Sequence, residues 1–163
     1  MGGYAFGDSA LAARRLGLLA EVFEPTTRAF LTDADGYLAD AGRPAGAQLA
    51  GRGLLELAVD LGCGPGHTTR LLVSVLGPRR TLGLDQSAFF VALAAEDPPP
   101  GASFAVHDVT MVPFPWRPAG LLFCRFLLGH LADPAAALAA WATQLAPAGL
   151  LLVEEVERIR TDQ

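Results

Sequence analysis

The sequence predicts an α/β fold: a doubly wound, mostly parallel sheet between two layers of helices, preceded by a helical leader. Three observations predict it. Strand-like and helix-like segments alternate from about residue 54 onward, which is the pattern of a parallel sheet with right-handed crossovers. The strand-like segments are apolar on both faces, as buried parallel strands are. Glycine-rich or acidic turns follow the first three of them. The 163 residues are 52% hydrophobic and 18% charged, enough to bury a sizeable core.

In chain order, Asp8 or Ser9 can cap a helix to about Phe23, with Leu11, Leu18 and Val22 on one face and Leu16, Leu19 and Phe23 beside it. Pro25 interrupts, and a second helix spans Thr26 to Leu38. The Ala-, Gly- and Asp-rich stretch 33–53 reads as a connector with one short helix near 45–50. The domain organisation expected is a leader or lid over 1–53 and a core over 54–163.

Leu55 to Leu61 reads as a buried strand, Gly62-Cys63-Gly64-Pro65-Gly66 as a turn, and Leu71, Leu72, Val75 and Leu76 as a helical stripe ended by Gly77-Pro78. Thr81–Leu84 is a second strand. Ser87 caps a helix that Pro98-Pro99-Pro100 terminates. Ser103–Val106 is a third strand, 111–118 a proline-broken loop, and Leu121–Phe126 a fourth strand. Asp133 and Pro134 open a helix at N-cap and N1, with Leu138, Trp141, Ala142 and Leu145 on one face. Pro147 and Gly149 end it before a fifth strand, Leu150–Val153.

Composition excludes several classes. The net charge is −5 and no run of Lys or Arg exceeds two, so a nucleic-acid-tracking face is not expected. Cys63 and Cys124 lack any ligand spacing, so neither a metal site nor a disulfide framework is expected. No apolar stretch approaches a membrane span, and no signal peptide is evident. A soluble, cytoplasmic protein with no membrane partner is the expectation.

Ligands of open parallel sheets bind outside the carboxyl ends of the strands. Three features fall there: the glycine turn after Asp60, Asp85 at the end of the second strand and 19 residues past Gly66, and His107-Asp108-Val109 after the third. Glycines let a ligand approach the backbone, and the helix start behind them suits a carboxylate. Asp85 can accept hydrogen bonds from ribose hydroxyls. Asp108 beside a backbone N–H can read an adenine edge. The loop is GxGxG rather than GxGxxG, and Asp60 precedes it with no cation before Arg70. A pyrophosphate would be repelled there, whereas an adenosine bearing an ammonium and a sulfonium would be attracted.

With these residues in place, Val59–Gly66, Gly83–Ser87 and Leu145–Val153 resemble the motifs of class I S-adenosylmethionine-dependent methyltransferases, over roughly residues 54–155. Ala148 departs from their usual L-x-P-G-G. The resemblance implies a Rossmann-like fold, S-adenosylmethionine as cofactor and a small-molecule methyl acceptor. It implies that Gly62, Cys63, Gly64 and Gly66 approach the methionine part and that Asp60 holds its ammonium. Asp85 would hold the ribose, Gln86 pack by the adenine, and Asp108 with Val109 read the adenine edge. Cys124 and Arg125 would lie where the fourth strand meets sulfonium and acceptor.

No catalytic residue is identified, with His130 and Arg125 as candidates. Arg125 fits a buried ion pair as well as a substrate contact, His130 fits a helix-end histidine, and both cysteines fit small apolar fillers. Glu154 and Glu155 fit either the acceptor or solvent. The ten residues after Val153 are too few for the last two strands of the family's seven-stranded sheet, so an incomplete core with an open fifth-strand edge, and a homodimer through it, is expected. Alternatives are an inactive cofactor-binding module and a nicotinamide-dependent oxidoreductase.

Overall fold

The computed structural model describes residues 9–40 and 55–156. Its elements are α1 (Ala10–Asp40), β1 (Leu57–Leu61), α2 (His67–Leu76), β2 (Arg80–Asp85), α3 (Ala88–Ala95), β3 (Ala102–Val106), β4 (Ala119–Arg125), a 3-10 turn (Leu128–His130), α4 (Pro134–Ala142) and β5 (Leu145–Glu154). The five strands form one sheet in the order β3-β2-β1-β4-β5, parallel throughout. The doubly wound α/β prediction holds. The short helix expected near 45–50 lies outside the described residues.

Strand alternation divides the core. Leu57, Val59, Leu61, Leu122 and Cys124 pack on one sheet face with Leu82, Leu84 and Trp141. Ala58, Leu121 and Phe123 pack on the other with Leu72, Leu76 and Leu31. The second face carries α2, and α1 lies across α2. α4 covers the first face through Ala137 and Trp141.

Two expectations are corrected. The leader is one helix, with Pro25 inside it. Proline removes one backbone N–H and costs a helix interior about 3 kcal/mol. The helix persists because its buried stripe runs through the proline without a break. Ala12, Ala20, Thr27 and Leu31 are buried, with Leu16 and Phe23 half-buried between them, at the 3–4 residue spacing of one helical face. The Thr26 and Thr27 hydroxyls also lie within hydrogen-bond distance of the Phe23 carbonyl, 2.9 Å each. The face that Leu11, Leu18 and Val22 share is the outer one, since all three are exposed. Small inward residues let α1 approach α2 closely.

The second correction concerns residues 145–149. The helix ends at Ala142 and β5 begins at Leu145. Ala119 faces Leu145 while Leu121 faces Leu150, so Ala146–Gly149 form an irregular bulge against β4. A Cβ on Gly149 would lie 2.9 Å from the carbonyl oxygens of Ala119 and Ala146. Ala148, which stands at a glycine of the expected motif, is left-handed at φ 59°. Left-handed backbone costs a non-glycine residue roughly 1–2 kcal/mol, partly offset by the smaller unfolded-state entropy of alanine. Ala148→Gly is therefore expected to stabilise the fold by about 0.5–1 kcal/mol, read as a raised urea midpoint at unchanged slope. A lowered midpoint would contradict the strain.

Candidate functional site

All strands run the same way, so their carboxyl ends share one edge of the sheet. The turns after β1, β2, β3 and β4, with two leucines of α1, enclose a cavity of about 370 Å³ there. The glycine turn forms its floor. Gly62 and Cys63 donate their N–H groups to the Leu84 carbonyl at 2.8 and 3.0 Å, and Gly66 donates to Cys63. Gly62, Gly64 and Gly66 all have left-handed φ, 68°, 52° and 84°, which a Cβ disfavours. A Cβ on Gly64 would find nothing nearer than Leu16 at 3.7 Å, so the backbone there faces open space. Behind the turn α2 starts at His67, with no side chain capping its N-terminus.

The three acids differ in surroundings. Asp60 is buried, and its Oδ2 accepts hydrogen bonds from Thr68 and Thr69 at 2.7 and 2.6 Å. Its Oδ1 is buried with no protein partner. Burial raises its carboxyl to about 6, against the lowering pull of the two threonines and of Arg125. Asp85 is also buried, and its Oδ2 accepts from Gly64 N–H at 2.8 Å and its Oδ1 from Ser87 N–H at 2.9 Å. It thus ties the glycine turn to the start of α3. Asp108 is exposed and accepts from the Thr110 N–H and hydroxyl at 2.9 and 2.7 Å, which lower its pKa. Val109 is buried beside it, and its carbonyl accepts from Trp141 Nε1 at 2.7 Å.

Of the residues predicted for the site, Gly62, Cys63, Gly64, Asp85, Gln86, Asp108 and Val109 line the cavity, as do Arg125 and His130. Asp60, Gly66 and Cys124 stand behind its wall. Asp60 is joined to the wall through Thr68, which lines the cavity. Cys124 and Cys63 are buried, and burial pushes both thiols up, Cys124 to about 12. Both therefore behave as neutral packing groups.

The carboxyl ends of β4 and β5 are laced to α1. Arg125 donates to the Thr27 hydroxyl at 2.9 Å, and that hydroxyl lies 2.8 Å from Glu154 Oε2. One Glu155 oxygen accepts the N–H groups of both Leu127 and Leu128 at 2.6 Å. The Glu154 side chain thus ties the end of β5 to α1, and that of Glu155 ties it to the segment after β4. Phe126, left-handed at φ 55°, meets Phe23 of α1 edge to face at 4.8 Å.

The sequence reading did not identify Leu16, Leu19 and Thr68 as cavity-lining residues. The paired threonines opening α2 carried a signal for Thr68, since hydroxyls one turn from a buried acid are its natural partners. The α1 leucines carried none, because their placement depends on how α1 docks. Among the described residues no His, Cys, Asp or Glu cluster could hold a metal ion, and no helix is long and apolar enough to cross a membrane.

Known proteins are similar to this chain in sequence and in fold. Residues 59–153 match the family described as "Methyltransferase domain". Trans-aconitate 2-methyltransferase of Methylobacterium nodulans is 42% identical over 96 residues, covering 59% of this chain and 36% of that protein. The Methylobacterium radiotolerans protein of the same name is 36% identical over 115 residues, covering 69% of this chain and 43% of that one. The chain thus spans less than half the length of these two relatives. The plantazolicin methyltransferase BpumL, solved in complex with SAH, superposes with a TM-score of 0.64 at 18% identity, over 86% of this chain and 51% of that one. Streptomyces venezuelae DesVI superposes at 0.61 and 20% identity, over 91% and 58%. At those identities the structural likeness is one of fold. The family match runs from β1 through β5, across the glycine turn, the strand-end acids and the β5 bulge, and it makes this chain a member of the methyltransferase-domain family.

Proposed function

We propose that the cavity binds S-adenosylmethionine and that the chain serves methyl transfer to a small-molecule acceptor in the cytoplasm. The observation that carries this reading is the buried Oδ1 of Asp60, a carboxylate oxygen with no protein partner behind a glycine turn. A buried unsatisfied carboxylate is costly, and a cationic ligand beside it relieves that cost. A phosphate there would add to it. Gly62 and Gly64 would take the amino-acid part, Asp85 the ribose, and Gln86, Asp108 and Val109 the adenine.

When bound, the cofactor supplies a methyl group on a sulfonium whose departure leaves a neutral thioether. The chain supplies placement and dryness. Leu16, Leu19, Phe126, Leu127 and Leu131 wall the cavity with apolar surface, which excludes water and fixes approach. The acceptor named for the Methylobacterium relatives, a polycarboxylic acid, supports an acidic acceptor here. A carboxylate attacks without losing a proton, so no general base is required.

Titration calorimetry tests the cofactor half. Asp60 is protonated below about pH 6 in the free chain, and a cationic ligand favours its charged form. Affinity for S-adenosylmethionine is therefore expected to rise from pH 5 to 7 and level off above, with up to about half a proton released per ligand at pH 6 and nearly one near pH 5. Two buffers of different ionisation enthalpy read that proton. Absence of binding to S-adenosylmethionine and S-adenosylhomocysteine sinks the reading. Binding without methyl transfer in an acceptor screen favours a cofactor-binding module.

A further inference from the structure

We propose that Arg125 recognises a carboxylate of the methyl acceptor, held in place by Thr27 of α1; this rests on the acidic-acceptor reading above. Arg125 closes β4 and is half-buried, and it lines two spaces at once. One is the main cavity. The other is a groove of about 310 Å³ between α1 and α2. His67 also lines both, and Arg70 and Arg28 line the groove.

The surroundings of the guanidinium leave its charge without a contacting anion. Its acidic neighbours are Glu154, Asp60 and Glu24. Each is engaged elsewhere: Glu154 by the Thr27 hydroxyl, Asp60 by Thr68 and Thr69, Glu24 by Arg28 at 2.8 Å. Among the described residues, no carboxylate oxygen lies within 4.0 Å of the Arg125 nitrogens. The hydrogen bond from Arg125 NH1 goes to the neutral oxygen of Thr27. A guanidinium carries five N–H donors in a planar fork that matches a carboxylate, and partial burial strengthens such a pair.

The rest of the junction fits an acid with a carbon skeleton. Leu16, Leu19 and Leu127 offer apolar wall on the cavity side. Arg70 offers a further positive group on the groove side, against Glu21 and Glu24 there, and His67, whose pKa burial lowers, stands beside it. Thr27 is a positioning residue: it accepts from Arg125 and ties the guanidinium to α1, so the docking of α1 and the placement of the cation are linked.

The test titrates the full chain with trans-aconitate and with its trimethyl ester, with and without S-adenosylhomocysteine. The acid is expected to bind and the ester to bind at least about tenfold more weakly. Arg125→Gln is expected to weaken the acid by about 10- to 100-fold, the scale of a charged hydrogen bond. Arg125→Lys, which keeps charge without the fork, should fall between. Thr27→Val should give a smaller loss. S-adenosylhomocysteine affinity is measured beside it in all three, the acid is expected to lose more than S-adenosylhomocysteine does, and thermal unfolding checks each for folding. Equal acid affinity in Arg125→Gln and the parent chain overturns the proposal, as does equal binding of acid and ester. Failure of the parent chain to bind the acid overturns it too, while retained S-adenosylhomocysteine binding leaves the cofactor reading standing. If S-adenosylhomocysteine fails to bind, the cofactor reading falls, and the titration without it still decides Arg125. If Arg125→Gln does not fold, Arg125→Lys and Thr27→Val carry the decision, and unchanged acid affinity in both overturns the assignment.

Discussion

Trp141→Ala is expected to destabilise the fold by about 3–5 kcal/mol, the usual cost of emptying a buried aromatic site. Trp141 is 0% exposed and packs under β4 and β5 with Leu122, Cys124 and Ala137. Against a typical total of roughly 5–15 kcal/mol, that loss removes much of the folded population's margin. Trp141→Phe separates packing from hydrogen bonding. It keeps most of the ring volume and removes the Nε1 bond to the Val109 carbonyl, 2.7 Å long. A loss of about 1–2 kcal/mol is expected for Phe, with weaker cofactor binding because Asp108 and Val109 lose their anchor. Urea unfolding of both variants checks the order. A loss below about 1 kcal/mol for Ala would show that the site collapses around the missing ring.

Asp85→Ala is expected to weaken S-adenosylhomocysteine binding by about 1–3 kcal/mol, roughly 5- to 150-fold, and to lower stability as well. Two effects combine. The variant loses a carboxylate lining the cavity, and it leaves the N–H groups of Gly64 and Ser87 without the acceptor that holds the glycine turn to α3. Asp85→Asn keeps the shape and one acceptor oxygen, so a smaller loss is expected. Ser87→Ala is the control. It removes the hydroxyl that accepts from Phe90 N–H at 3.1 Å, an N-cap worth about 1 kcal/mol of stability, while leaving Asp85 in place. Calorimetry on the three variants decides. Unchanged affinity in Asp85→Ala would reduce Asp85 to a structural tie.

Much of this was legible because the decisive signals are local. Apolar runs of strand length, Gly-rich turns and N-cap residues such as Ser87 and Asp133 act within a few residues of themselves. The strands, the alternation and the helices after β2 and β4 therefore appear where expected. The bulge in β5 was hidden because Pro147 and Gly149 signal a break without saying of what. Only the pairing of Leu121 with Leu150 decides that the break falls inside a strand.

Long-range packing decided the rest. Pro25 says locally that a helix should stop, and the buried stripe from Ala12 to Leu31 overrides it. Which face of α1 meets α2 was not legible either, because side-chain size alone does not decide it and Leu11 and Leu18 face outward. The strand-end acids were readable by position, and their different states were not. Asp60 becomes a buried acid raised to about 6, Asp85 a tie for the glycine turn, and Asp108 an exposed acceptor. The parallel α/β order and the strand ends that line the cavity were legible in the amino-acid order, since both follow from the periodicity and turn chemistry of short segments. The tertiary structure alone decided that α1 docks as one helix and that Thr27 meets Arg125 across 98 positions of chain. Such a contact depends on the packing of whole elements, and no local pattern encodes it.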